Sequence, residues 1–210
     1  MKFLAVSDQV VERMYSLVAD GQFNDIDLLF GCGDLPYEYL EYIVTLVNKP
    51  LYYVPGNHDP VYSLKDRRSF AEGGENIDCK VIDHKGVLIA GLGGSIRYRP
   101  DGVNQYKQRE MYFRAFRLVP RLLWNKLRYG RMLDVLITHS PPFGIHDDDT
   151  QAHEGLKAIN WLLNFSKPRY HLHGHTHFYR QNLEASTTQL GRTTIKNIYP
   201  YKVVNYDEKI

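Results

Sequence analysis

Apolar residues in this chain fall in short runs separated by longer stretches of helical spacing. Residues 2–6 are an apolar run closed by the polar pair Ser7-Asp8, the pattern of a buried strand. Residues 11–19 then place Val11, Met14, Tyr15 and Val18 on one helical face, and Gly21 stops the helix. A second strand is predicted over 26–30, ended by Gly31 and Gly33. The next helix starts at Pro36 and runs its apolar side through Leu40, Ile43, Val44 and Val47. Residues 51–54 make a third strand before Pro55-Gly56. Strands alternating with helices imply crossover units and a largely parallel sheet.

After residue 80 the pattern changes. Runs at 80–84 and 87–90 bracket Lys85-Gly86, which reads as an antiparallel hairpin. Residues 105–129 are the longest helical stretch, with a break predicted at Pro120. A buried strand follows over 133–138, a helix over 154–165 and a strand over 169–173. A second hairpin, 187–190 with 193–198, turns at Gly191-Arg192, and 202–206 is the last predicted strand. There is no internal repeat, low-complexity segment or linker, so residues 1–210 are expected to form a single domain.

Composition adds little to this picture but removes some alternatives. A chain of 210 residues with 43% hydrophobic and 24% charged residues is ordinary for a soluble globular domain. The net charge of +2 gives no global attraction to nucleic acid or to a membrane. The two cysteines, Cys32 and Cys79, are too few for a disulfide framework and read as buried thiols of a reducing compartment. The N-terminus lacks the pattern of a signal peptide. No run approaches the ~18 apolar residues of a membrane span. The expectation is a cytoplasmic protein without a membrane partner.

The chemistry lies at the strand ends. Asp8, Asp34, Asn57 and His139 each follow a predicted strand, and the late segment His171-Leu172-His173-Gly174-His175-Thr176-His177 adds four histidines at alternate positions. In open α/β sheets, ligands bind beyond the carboxyl ends of strands. Carboxylates, an amide oxygen and imidazoles, with no thiolate, suit Mn, Fe or Zn ions. An aspartate shared by two ions would set them ~3.5–4 Å apart, the spacing used for in-line displacement at phosphorus.

In this order, Asp8, Gly33-Asp34, Gly56-Asn57-His58-Asp59, His139 and Gly174-His175-Thr176-His177 resemble the motifs of the calcineurin-like metallophosphoesterases. The resemblance implies an α/β fold, a four-layer α-β-β-α sandwich with two mixed β-sheets. It also implies two divalent metal ions and hydrolysis of phosphomonoesters or phosphodiesters. Asp34 would bridge the ions. Asn57, His139 and His175 would complete the second site, and Asp8 and His177 would hold the first. His58 would protonate the leaving oxygen, with Asp59 orienting its ring. One departure stands out. The family's first motif is Asp-x-His, whereas this chain reads Asp8-Gln9-Val10. Valine cannot coordinate, and Gln9, a possible substitute, should point away if the strand alternation persists; the first site then keeps three protein ligands and should bind its ion more weakly.

Beyond the motifs, Arg97, His146 and His153 are candidate substrate contacts at the pocket rim. His171 reads as a structural residue or as one that supports the metal ligands from behind. Residues 107–131 carry eight basic residues and one acid, Glu110, interleaved with Tyr106, Tyr112, Phe113, Phe116 and Trp124. That stretch is the one feature favouring a nuclease, but a helix of this kind is expected to bury its aromatics and solvate its charges. The expected activity is therefore metal-dependent hydrolysis of a small phosphate ester by attack of an acidified water. The alternatives are a metal-binding scaffold without catalysis, and a nuclease.

Overall fold

Three separate apolar clusters define how the layers stack. A computed structural model describes residues 1–60, 70–178 and 184–206. The strands are β1 (Lys2–Val6), β2 (Leu28–Gly31), β3 (Leu51–Tyr53), β4 (Gly74–Asn76), β5 (Val81–His84), β6 (Val87–Leu92), β7 (Ser95–Ile96), β8 (Gln105–Tyr106), β9 (Val135–Thr138), β10 (Tyr170–His173), β11 (Thr187–Leu190), β12 (Thr193–Asn197) and β13 (Tyr201–Asn205). The helices are α1 (Glu12–Ala19), α2 (Tyr37–Val47), α3 (Gln108–Phe116), α4 (Val119–Tyr129) and α5 (Lys157–Ser166).

The first sheet runs β13-β1-β2-β3-β4, the second β11-β12-β10-β9-β6-β5. In the first, only β13 pairs antiparallel; in the second, the hairpins β5-β6 and β11-β12 are antiparallel around a parallel centre. Both sheets are mixed, as the resemblance implies.

Strand alternation sorts the side chains into layers. Along β1, Leu4 and Val6 join α1 and α2 in one cluster, while Phe3 and Ala5 point the other way into a second. That second cluster is shared by both sheets: Leu28 and Phe30 of β2 meet Ile89, Val135, Ile137 and Leu172 of β6, β9 and β10. The opposite sides of β6 and β9, through Ala90 and Leu136, pack together with Ile195 of β12 against α3, α4 and α5 in a third cluster. Helices, sheet, sheet and helices thus form four layers with an apolar interface between each pair.

The element boundaries differ from the sequence pattern in three places. The stretch 105–129 is not one broken helix: Gln105–Tyr106 pair with Ser95–Ile96, and the helical part divides around Arg117-Leu118. Proline lacks the N–H that an interior helical position must donate, so Pro120 falls in the first turn of α4. The fifth helix starts later than predicted because Leu156, in extended conformation, bridges Pro142 before the helix begins. The short edge strand β4 carries Gly74-Glu75-Asn76, without an apolar run to announce it. A further expectation is corrected. The inward positions of α3 and α4 are taken by Met111, Ala115, Leu118 and Leu122; Tyr106 and Tyr112 pack partly buried against them, whereas Phe113, Phe116 and Trp124 are exposed.

Candidate metal centre

Five of the six predicted ligands lie just beyond the carboxyl ends of five parallel-paired strands. Asp8 follows β1, Asp34 follows β2 and Asn57 follows β3 in the first sheet; His139 follows β9 and His175 follows β10 in the second. Asp8, Asp34 and His175 all adopt positive φ, at 64°, 56° and 69°. Their main chain therefore leaves the strand in a sharp turn that keeps each side chain at the sheet end. The turns are closely packed. A Cβ on Gly56 would stand 2.0 Å from Asp34 Oδ1, and one on Gly174 would stand 2.2 Å from Asp8 Oδ2. Both positions require glycine for the carboxylates to sit where they do.

His139 is the hub. Its Nδ1–H donates to the Cys32 carbonyl at 2.8 Å, which turns Nε2 toward the site. Around Nε2 stand Asn57 Oδ1 at 3.0 Å, His175 Nδ1 at 3.0 Å and Asp34 Oδ2 at 3.3 Å. His175 donates its own Nε2–H to the Ala152 carbonyl at 2.8 Å, so its Nδ1 presents a lone pair. Asn57 donates Nδ2–H to the Tyr98 hydroxyl at 3.3 Å, which points its amide oxygen inward. The ligand atoms of Asp34, His139 and His175 all lie within 4.8 Å of one another. Hydrogen bonds that hold ligand rings and fix their tautomers are usual around metals.

Charge makes the same point. Burial opposes a charge on His139, but the adjacent Asp34 carboxylate outweighs it and lifts the imidazole to about 10. The converse effect holds Asp34 down at about 2, against its burial. Burial and the His139 charge push His175 down to about 3, so it stays neutral. Four lone-pair donors thus converge on one buried point that demands positive charge. A proton on His139 Nε2 meets that demand in part, and a divalent cation fits the same donors fully. Metal uptake must therefore displace that proton. Apparent affinity should climb about tenfold per unit from about pH 6 to pH 8, with one proton released per ion bound. Calorimetry in buffers of different ionisation enthalpy reads that proton; an affinity flat across this range would contradict the arrangement.

The first-site residues are held differently. Asp8 accepts N–H bonds from His175 at 2.9 and 3.1 Å and a hydroxyl bond from Ser7. Burial raises its pKa, with Asp34 adding to the rise and His139 opposing it. Asp8, Asp34 and His177 line one cavity with Asn57, His58 and His175. His177 is exposed and lies flat on the Tyr199 ring, with centroids 4.4 Å apart. The two residues after Asp8 offer nothing to this cavity. Val10 packs on the cluster under α1 and α2, and Gln9 Oε1 accepts a hydrogen bond from the Tyr199 hydroxyl at 2.7 Å.

Several predicted roles change. Asp59 does not orient the His58 ring. Its carboxylate accepts the backbone N–H groups of Gly56, Asp34 and Leu35 at 2.7, 3.0 and 3.1 Å, and so ties the second motif to the third. Burial lifts it to about 6 against these bonds. His58 donates its backbone N–H to Asp34 Oδ1 at 2.7 Å, while its side chain is 65% exposed and reaches within 4.0 Å of Asp34 Oδ2. Arg97 is not a substrate contact: its guanidinium is spent on the Gln105 carbonyl and Glu110 at 3.0 Å. Its loop does reach the site, but the residue facing it is Tyr98, with Arg99 lining an adjoining cavity beside His58. His153 does line the site. His146 lines a neighbouring cavity with His153 and His177, yet both its ring nitrogens are engaged, by His173 and Thr188 at 2.9 Å each. His171 is fully buried and bonded to Thr138, as a structural residue would be.

Comparison with known proteins identifies the family and the fold. The family model for calcineurin-like phosphoesterases matches residues 1–179. An uncharacterized protein of Methanocaldococcus jannaschii, MJ1162, is 28% identical over 201 residues, covering 90% of this chain and 84% of its own length. The crystal structure of TT1561 from Thermus thermophilus superposes with a TM-score of 0.61 at 16% identity, covering 94% of this chain and 88% of that one. At that identity the structural likeness speaks for the fold alone.

Proposed function

The chain belongs to the calcineurin-like phosphoesterase family, and on that premise we propose that it is a two-metal phosphoesterase acting on a small phosphodiester or phosphomonoester. The observation that carries this reading is the convergence of Asp34, Asn57, His139 and His175 on one buried point, beside an exposed histidine. The ions, held by these residues and by Asp8 and His177, would supply an acidified water and positive charge against the phosphoryl oxygens. Manganese, iron and zinc all suit the donor set.

The chain's own residues have distinct tasks. Asp34 presents Oδ2 to His139 and Oδ1 to the His58 backbone, so it fixes the acid residue relative to the metal ligands. His58 extends into the cavity with its exposed ring 4.0 Å from Asp34 Oδ2, placed to give a proton to a departing alkoxide. Tyr98 holds Asn57 and forms the wall next to His58. Arg99, exposed at the far end of that wall, is a cation available to an anionic substrate.

The first site is the weaker one. Neither Gln9 nor Val10 contributes a ligand, which leaves Asp8, Asp34 and the exposed His177. The purified protein should accordingly gain activity on addition of Mn²⁺, and brief chelation should remove one ion per chain before the other. Metal analysis during a chelator time course, with hydrolysis of a nitrophenyl phosphodiester and monoester, tests this. Two ions lost together, or two held against chelator, would reject the weak first site. No hydrolysis of either ester at full metal loading would favour a non-catalytic binding protein.

A further inference from the structure

The helical layer over the second sheet ends in a surface that the metal centre does not explain. Helical residues advance by about 100° each, so α3 and α4 can be divided into sides. Met111 and Ala115, and then Leu118 and Leu122, face the sheet and are buried. On the opposite sides stand Phe113 of α3, and Leu123, Trp124 and Leu127 of α4, whereas Phe116 lies toward α5, edge-on to the Trp161 ring at 4.7 Å. Phe113 is 68% exposed, Trp124 51% and Leu127 80%. Four large apolar residues on the outer sides of two consecutive helices, three of them on α4, exceed the scattered exposure normal for a soluble surface.

Cations border this surface. Arg109, Arg117, Arg121, Lys126 and Arg128 are all exposed, and among the described residues none has a carboxylate within ion-pair distance. Arg121 and Arg128 fall together along one edge of α4, beside the apolar side. The one acid of the stretch, Glu110, is already paired with Arg97 at 3.0 Å. A net charge of +2 for the whole chain conceals this local excess.

We propose that the outer face of α3 and α4 docks on an anionic membrane surface, with Phe113, Leu123, Trp124 and Leu127 entering the headgroup boundary and the arginines on the lipid phosphates. Helices that lie in a membrane interface pair an apolar side bearing Trp, Phe and Leu with flanking Lys and Arg. The charges select against a second copy of the chain, since a two-fold contact would set these cations against themselves. The aliphatic residues select against nucleic acid: Leu123 and Leu127 have no π face for a base to stack on. Both gain when buried among acyl chains.

The test uses the full chain with metal bound, and vesicles of phosphatidylcholine with or without phosphatidylglycerol. The protein should sediment with the anionic vesicles and not with the neutral ones, and added salt should release it. Trp124 fluorescence should shift to the blue on binding. Leu127→Glu should weaken sedimentation more than tenfold, and Arg121→Glu by about fivefold or more. Both variants should keep wild-type hydrolysis of a soluble chromogenic ester and wild-type circular dichroism. Failure of the wild type to bind anionic vesicles overturns the proposal, and so does binding that neither variant weakens. A dimer abolished by Leu127→Glu without vesicle binding would assign the face to a second copy. A salt-sensitive shift with single-stranded DNA, again without vesicle binding, would assign it to nucleic acid.

Discussion

Asp34→Asn protein will keep its fold and lose nearly all metal and activity. The structural reason is the double use of this carboxylate. Oδ2 stands 3.3 Å from His139 Nε2 among the converging ligands, and Oδ1 accepts the His58 N–H at 2.7 Å. Asparagine is the informative replacement. Asp34 has φ 56°, a conformation that asparagine tolerates and alanine does not. The amide oxygen can still accept the His58 N–H, so the loop survives. What disappears is the negative charge that holds His139 at about 10 and that would bind a cation. Residues that merely orient metal ligands cost ~10–100-fold in affinity or activity when removed. A ligand shared by both ions should cost more, so hydrolysis is expected to fall by at least about a hundredfold. Metal analysis should find less than one ion per chain, and histidine NMR should show His139 titrating at lower pH. An Asp34→Asn protein with full metal content would remove Asp34 from the ligand set.

His58→Ala will separate substrates by leaving group. The ring is largely exposed and its backbone carries the structural bond, so truncation should leave the fold and the metal content intact. A nitrophenolate departs without a proton, whereas an alkoxide needs one. General acid catalysis contributes ~10²–10⁴-fold, and that factor should be lost for alkyl esters while nitrophenyl esters change little. Equal losses on both substrates would leave His58 as a phosphate contact and not an acid.

The sequence disclosed the strands with apolar runs, and with them the positions of Asp8, Asp34, Asn57, His139 and His175. The first four follow strands that are apolar on both faces because they lie between two packed layers, and such runs are easy to see; β10, before His175, instead alternates Tyr170 and Leu172 with the buried His171 and His173. Roles that depend on direction were less legible. Asp59 sits beside His58 in sequence, yet its carboxylate is turned back onto three backbone N–H groups, an orientation that only the tertiary turn determines. Tyr98 faces the cavity in place of Arg97 because the short ribbon β7-β8 sets which neighbour turns toward it, and a two-residue strand leaves no periodic trace. Val10 is the contrary case: an apolar residue where the motif has a ligand, and the structure finds it packed on the core. The exposure of Phe113, Phe116 and Trp124 could not be read from spacing alone, because Met111, Ala115, Leu118 and Leu122 form an equally good inward stripe.

The central claim is that this cluster of ligands makes a metal-dependent phosphoesterase. Titrating Mn²⁺ into fully stripped protein while following a nitrophenyl phosphodiester and the matching monoester tests it most directly. The account predicts no hydrolysis without metal, little as the complete site of Asp34, Asn57, His139 and His175 fills, and a rise as the weaker site loads. Hydrolysis by the stripped protein, or none of either ester with both sites loaded, would contradict it.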